Sequence, residues 1–302
     1  MVYNSSRPAR MIRKAVLVII FGYAGFGAAE AVEYGVVVTP APVLNSPDFA
    51  SDFGGQSGHE LKTDRCGQTR ELEYIALPGT AVTILKKLKS GTVDICQIET
   101  EDYSAAPNVR LYMECRFLVM KNSMPEQRRP LLPTRAEVVS TLRAASGRPY
   151  VWGSNAPTGI PELAVWFTGG ISDNERERLT LAGLDCSGLL YHATGGWTPR
   201  NTSQLVSYGH AVVIAGNSPV EIAAKLQPLD LIVWNGHVVI VLDQLTTIES
   251  RLECGAPGNG GVVTTPLSQR LAAIMRTRHP VNVWPVGKKG SDIFVVRRWY
   301  PL

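Results

Sequence analysis

Residues 184–190 read Leu-Asp-Cys-Ser-Gly-Leu-Leu, and residues 236–242 read Gly-His-Val-Val-Ile-Val-Leu. The first stretch has the form of a helix start, with Asp185 at the N-cap, Cys186 opening the helix and Gly195-Gly196 closing it. The second is apolar without alternation, the pattern of a strand buried on both faces. Further strand candidates flank it at residues 231–234, 247–249, 261–264 and 294–299. Upstream, Thr134 and Glu137 form a capping box ahead of Val138, Val139 and Leu142, and Gly147 ends that helix. Helices followed by a run of strands predict an α+β arrangement.

The same stretches carry the chemistry. A thiol at a helix N-terminus is favoured as the thiolate, and the first-turn N–H groups there can receive a developing oxyanion. A lone Cys in such a place is often a small apolar core residue, so its partners decide the reading. His237 starts its strand after the turn Asn235-Gly236, and Glu249 falls on the next strand. If those strands run antiparallel, Cys186, His237 and Glu249 become nucleophile, base and orienter.

The first part of the chain reads differently. Short apolar stretches at residues 36–38, 82–85, 93–98 and 111–119 alternate with turns such as Pro78-Gly79 and Ser90-Gly91, which suggests a small β-barrel. Residues 122–133, Asn-Ser-Met-Pro-Glu-Gln-Arg-Arg-Pro-Leu-Leu-Pro, have linker composition. Residues 1–31 have the form of an export signal, opening at Met1 or Met11: Arg7, Arg10, Arg13 and Lys14 precede an apolar run, and Ala-Glu-Ala closes it. Without them Lys and Arg fall from 30 to 26 and Asp and Glu from 26 to 25, so net charge drops from +4 to +1. That balance gives no reason to expect a nucleic-acid partner. Export would permit disulfides. Of five cysteines, Cys66, Cys96, Cys115, Cys186 and Cys254, at least one must stay unpaired. One pair is expected among Cys66, Cys96 and Cys115, with the partners left open. No C-x-x-C pair occurs, so no structural zinc is expected.

Taken in order, Gly-Arg-Pro-Tyr-Val-Trp-Gly (147–153), Leu-Asp-Cys-Ser-Gly-Leu (184–189), Pro-Arg-Asn-Thr-Ser-Gln (199–204), Pro-Leu-Asp-Leu-Ile-Val-Trp (228–234) and the run from Gly236 to Ser250 resemble the NlpC family of cell-wall cysteine peptidases. The resemblance covers residues 134–302 and implies a minimal papain-like fold with helices packed on an antiparallel sheet. Residues 32–121 more weakly resemble the bacterial SH3-like barrel that often precedes such domains, through Val43 to Asn45 and Leu77 to Gly79. The implied organisation is a signal at 1–31, an SH3-like barrel at 32–121, a linker at 122–133 and a peptidase domain at 134–302.

By position, the resemblance implies Cys186 as nucleophile, His237 as base and Glu249 as third catalytic residue. Tyr150, Asp185 and Ser187 would bind the substrate peptide. The implied reaction is cleavage of the bond from D-γ-glutamate to a diamino acid in peptidoglycan stem peptides, with no metal or cofactor, outside the cytoplasm and without a membrane anchor once the signal is removed. The same triad serves an N-acetylmuramoyl-L-alanine amidase, and a non-catalytic peptidoglycan-binding scaffold is a third reading. The resemblance to relatives whose SH3-like barrel narrows one end of the cleft implies a preference for stem peptides with a free L-alanine amine, bound by Asp185 with Tyr150 alongside. Three departures stand out: Leu229 replaces the usual glycine of a Pro-Gly-Asp turn, Gln204 is displaced by one position, and the segment between Gly153 and Asp185 is long. That segment, with Trp166, Gly169-Gly170 and the charged run 173–178, reads as a lid, an assembly surface or a solvated face.

Overall fold

The computed structural model describes residues 32–54, 60–167, 178–255, 259–285 and 292–301. The export signal, Gly169-Gly170 and residues 173–177 of the charged run lie outside them. The described chain is mixed α/β, built on two largely antiparallel sheets.

The first sheet comprises β1 (Glu33–Val37), β2 (Ala41–Leu44), β3 (Leu72–Ala76), β4 (Ala81–Ser90), β5 (Val93–Glu99), β6 (Leu111–Glu114) and β7 (Leu118–Lys121), with helix α1 (Phe49–Gly54) between β2 and β3. The expected strand at 111–119 is broken by a 3-10 turn, Cys115–Phe117. The strand order is β3-β2-β6-β5-β4-β1-β7, an open path with β3 and β7 at its ends. The closed SH3-like barrel expected from sequence is therefore absent from the described strands. One reason lies at β3. The Ile75 N–H donates to Asn155 Oδ1 at 3.1 Å, and Asn155 Nδ2 donates to the Ile75 carbonyl at 2.9 Å. A side-chain amide from the second half thus satisfies polar groups that would otherwise be an open sheet edge.

Helix α2 (Arg135–Ala144) opens the second half with the expected capping box: Thr134 Oγ1 accepts from the Glu137 N–H, and Glu137 reaches back to the Thr134 N–H at 2.7 Å. There follow β8 (Asn155–Ala156), α3 (Pro161–Trp166), β9 (Gly183–Leu184), α4 (Cys186–Ala193), α5 (Thr202–Leu205), β10 (His210–Ala211), α6 (Pro219–Lys225), β11 (Leu231–Trp234), β12 (His237–Val241), β13 (Thr246–Leu252), β14 (Gly260–Pro266), α7 (Leu267–Met275), β15 (His279–Pro280) and β16 (Ile293–Arg298). The second sheet runs β10-β16-β11-β12-β13-β14, and only the short β15 pairs in parallel, with β16. Strand β12 is covered on both sides. Val238 and Ile240 pack with α2 and α4, through Leu142, Leu189 and Leu190, while Val239 and Val241 pack with α6 and α7, through Ile222 and Leu271.

The segment between Gly153 and Asp185 is a joint between the halves. Ile160, Leu163, Leu179 and Leu181 are fully or almost fully buried and belong to the same apolar core as Leu44, Tyr74, Ile95 and Met113 of the first sheet. These four residues therefore pack as core, while Val165 and Arg178 are exposed and the rest of the charged run, for which a solvated face was expected, lies outside the described residues. Charge patterning in the sequence could not show this, because the segment's apolar partners come from strands far upstream. The linker is also pinned. Arg128 donates to Asp102 Oδ2 at 3.1 Å, the Gly195 carbonyl at 2.9 Å and the Tyr191 hydroxyl at 3.2 Å, so it ties both halves together.

Leu229 occupies a left-handed position, with φ of 73°. The Asp230 N–H bonds the Gln227 carbonyl at 3.0 Å, making Pro228-Leu229 the centre of a turn whose third residue normally calls for glycine. A leucine there costs about 1–2 kcal/mol of backbone strain. Full burial of its side chain offsets this: Leu229 packs in the core with Leu231 and Trp299.

Candidate active site

Cys186 begins α4 at the junction of the joint and the second sheet. Asp185 caps the helix as expected, its Oδ1 accepting from the Gly188 N–H at 2.6 Å. Gly188 is required at this turn, since a Cβ there would fall on the Ser154 carbonyl. The close pass of Ser154 also lets its carbonyl accept from the Asp185 N–H at 2.9 Å. Cys186 is 7% exposed, so the thiol is largely withdrawn from solvent.

His237 and Glu249 meet because β12 and β13 pair antiparallel, with Ile240 opposite Ile248 and Val241 opposite Thr247. His237 Nε2 lies 2.6 Å from Glu249 Oε2, and Cys186 is near enough to the imidazole to raise its proton affinity, while the Cys186 Sγ lies 3.9 Å from the Gly236 carbonyl oxygen. The order nucleophile, base, carboxylate is thus a spatial chain as well as a sequence order. Burial works against a charged imidazole, but the Cys186 and Glu249 partners outweigh it and raise the His237 pKa to about 9. Burial likewise opposes a charged Glu249, yet His237 and Arg270 hold its carboxyl below the usual range. The Trp234 ring, centroid 5.1 Å from the imidazole, screens one side.

The residues expected to bind substrate are brought close to Cys186. Tyr150 is buried, and desolvation followed by the neighbouring Asp185 and Cys186 raises its pKa, so the phenol stays a hydrogen-bond donor. Asp185 has a buried cationic partner within the protein. Arg200, 2% exposed, grips both its oxygens, with Nη1 to Oδ1 at 3.0 Å and Nη2 to Oδ2 at 2.7 Å. The same guanidinium donates to Ser187 Oγ at 2.9 Å and Asn155 Oδ1 at 3.1 Å. Any cation approaching Asp185 therefore meets a carboxylate already paired with Arg200.

Two arginines at the site were not assigned roles from sequence. Arg200 lies within the quoted 199–204 motif, where every polar residue named here bridges something. Asn201 and Gln204 donate to Ser104 of the first half, at 3.0 and 3.1 Å, and Thr202 Oγ1 accepts from the Gly236 N–H at 3.0 Å, bracing the turn before His237. Arg270, on α7, reaches Glu249 from behind, and nothing in its local sequence marks it. Among the described residues no group of three or more His, Cys, Asp or Glu is placed to hold a metal ion. A cavity of about 980 Å³ is lined by Gln68, Tyr150, Arg148, Arg178 and Asn259, and shares only Tyr150 with the site.

The first half supports the wall that carries Tyr150. Gln68 Oε1 accepts from the Trp152 N–H at 2.8 Å, and the Arg70 guanidinium lies 4.4 Å from the Trp152 ring centroid. Cys66 is disulfide-bonded to Cys254, just past the end of β13, across 188 residues. Cys96 pairs with Cys115, as a pair within the first sheet was expected to do, leaving Cys186 as the free thiol. Native treatment with iodoacetamide should therefore label Cys186 and spare the other four. Peptide mapping checks this, and comparable labelling of Cys254 would contradict the pairing.

The sequence matches no family model and no curated protein. Solved structures with likeness to the chain are NlpC/P60 proteins. An NlpC/P60 family protein from Bacillus cereus has 16% identity and a TM-score of 0.33 over 90% of this chain, which spans 64% of that protein. RipD from Mycobacterium tuberculosis, described as a non-catalytic NlpC/p60 domain protein adapted to peptidoglycan binding, has 17% identity and a TM-score of 0.31 over 54% of this chain and 95% of its own. NlpC1 from Trichomonas vaginalis has 13% identity and a TM-score of 0.31, covering 89% of this chain and 69% of its own.

Proposed function

We propose that this protein is a cysteine hydrolase of peptidoglycan stem peptides, acting at the γ-D-glutamyl–diamino acid bond. The observation that carries the reading is the chain Cys186–His237–Glu249, with the thiol at a capped helix N-terminus and the 2.6 Å contact fixing the imidazole from its far side. A binding scaffold would have no use for that arrangement. Two disulfides within the described chain agree with an exported location.

In this mechanism the Cys186 thiolate adds to the amide carbonyl carbon, and the oxyanion faces the first-turn N–H groups of α4. Collapse breaks the C–N bond as protonated His237 gives its proton to the leaving amine. His237, now neutral, takes a proton from water, whose hydroxyl attacks the thioester and releases the carboxylate product and the thiol. Glu249 keeps the ring oriented throughout. Because the leaving group needs the imidazolium proton, hydrolysis should fall as pH rises through about 9, the value to which His237 is raised. Mass spectrometry of digested muropeptides tests the reading. New γ-glutamyl carboxylates and free diamino-acid amines are expected; release of intact stems from muramic acid would assign an amidase, and unchanged muropeptides would leave only binding.

A further inference from the structure

Glu249 is 1% exposed, and a carboxylate buried to that degree needs partners for both oxygens. His237 supplies one contact, to Oε2. Arg270 supplies more: Nη2 donates to the same Oε2 at 2.6 Å, and Nε makes an ion-pair contact with Oε1 at 2.6 Å, although neither of those two atoms forms a hydrogen bond. Arg251, on the strand of Glu249 itself, is farther away at 3.9 Å and is engaged by Glu253 at 3.0 Å. The other charged or titratable groups facing this cluster are Cys186 from α4, Arg278 from beyond α7, whose guanidinium sits 4.3 Å from the Trp234 ring centroid, and, on the far side of Cys186, Tyr150 and Arg200. Among the described residues, Arg270 is thus the cation in contact with both Glu249 oxygens.

We infer that Arg270 is a positioning residue: it locks the plane of the Glu249 carboxylate and, through it, the orientation and proton affinity of the Cys186–His237 pair. The inference rests on the reading of Cys186 and His237 as the reacting groups. A carboxylate held only by His237 is free to turn about its last torsion, which is broad and roughly two-fold. A guanidinium in contact with both oxygens, by one hydrogen bond and one ion-pair contact, restricts that torsion, and a lysine ammonium, as a point charge, cannot reproduce it. The charge has a separate effect. Arg270 and His237 share one oxygen, so the guanidinium disfavours protons on every group of the cluster, and its removal must raise the proton affinity of each.

The test follows the rate of Cys186 alkylation by iodoacetamide across pH, alongside kcat and KM for hydrolysis, in wild type, Arg270→Gln and Arg270→Lys. In Arg270→Gln both inflections of the alkylation profile should move upward by about one pH unit. Its kcat should drop about tenfold with KM little changed, because the loss is in the reacting geometry. Arg270→Lys should return the inflections to their wild-type positions while kcat recovers only in part. Unmoved or downward-moving inflections in Arg270→Gln would overturn the inference, as would full kcat in Arg270→Lys. Should Arg270→Gln fail to fold, Arg270→Lys alone decides, by reduced kcat at unshifted inflections. If wild type cleaves no stem peptide yet the alkylation inflections move as described, the proposed activity falls and the positioning role stands.

Discussion

Cys186→Ala is expected to abolish hydrolysis of stem peptides, lowering kcat by at least about 10⁴-fold, with His237→Ala equally inactive. The two act as a unit: without the thiol no acyl-enzyme forms, and without the imidazole the leaving amine departs unprotonated. Glu249→Gln should be milder, about a hundred-fold, since the amide still occupies the space beside His237 but no longer favours its charged form. The fold should survive Cys186→Ala, because the residue is small and caps nothing; Asp185 does the capping. Muropeptide release by each purified variant, with circular dichroism as a control for folding, measures this series. A fully active Cys186→Ala protein would end the proposed mechanism.

The largest effect on stability is expected at Arg200. Its guanidinium and the Asp185 carboxylate are both buried and joined by two hydrogen bonds. Desolvation works against the arginine's charge, and Asp185 more than offsets it. Arg200→Met would leave Asp185 buried without its cation and remove donors from Ser187 and Asn155. Stranding one partner of such a pair costs about 3–5 kcal/mol. In a chain of this size that corresponds to a fall in Tm of about 10 °C. Adding Asp185→Asn should recover part of the loss, because a neutral amide needs no counter-ion yet still caps α4. Thermal unfolding of the single and double variants reads the outcome. A Tm for Arg200→Met within a degree or two of wild type would show that the pair is not what holds the helix in place.

Much of the second half was legible in its sequence because the deciding signals are local. The Thr134–Glu137 capping box, Asp185 before Cys186 and the unbroken apolar run of β12 each depend on a few neighbouring residues, and each appears where it was expected. The first half was less legible. Strands β2 and β3 carry no turn signal strong enough to mark them, and whether a row of short strands closes is a property of its two end strands. Here the Asn155 amide covers the β3 edge, and its position 80 residues from Ile75 leaves no trace in local pattern.

By itself, then, the sequence determined which residues could do chemistry and which local elements present them. Cys186 at a helix start, His237 at a strand start and Glu249 on the strand after it all follow from short-range preferences for caps, turns and buried strands. Tertiary structure alone decided what surrounds that triad: Arg200 neutralising Asp185, Arg270 in contact with Glu249, Cys66 bonded to Cys254, and Ile160, Leu163, Leu179 and Leu181 buried in the first half's core. The physical reason is common to all four. A buried charge, a disulfide and an apolar side chain each take whichever partner the fold brings near, and that partner is set by packing between distant segments, with no local backbone signal to announce it.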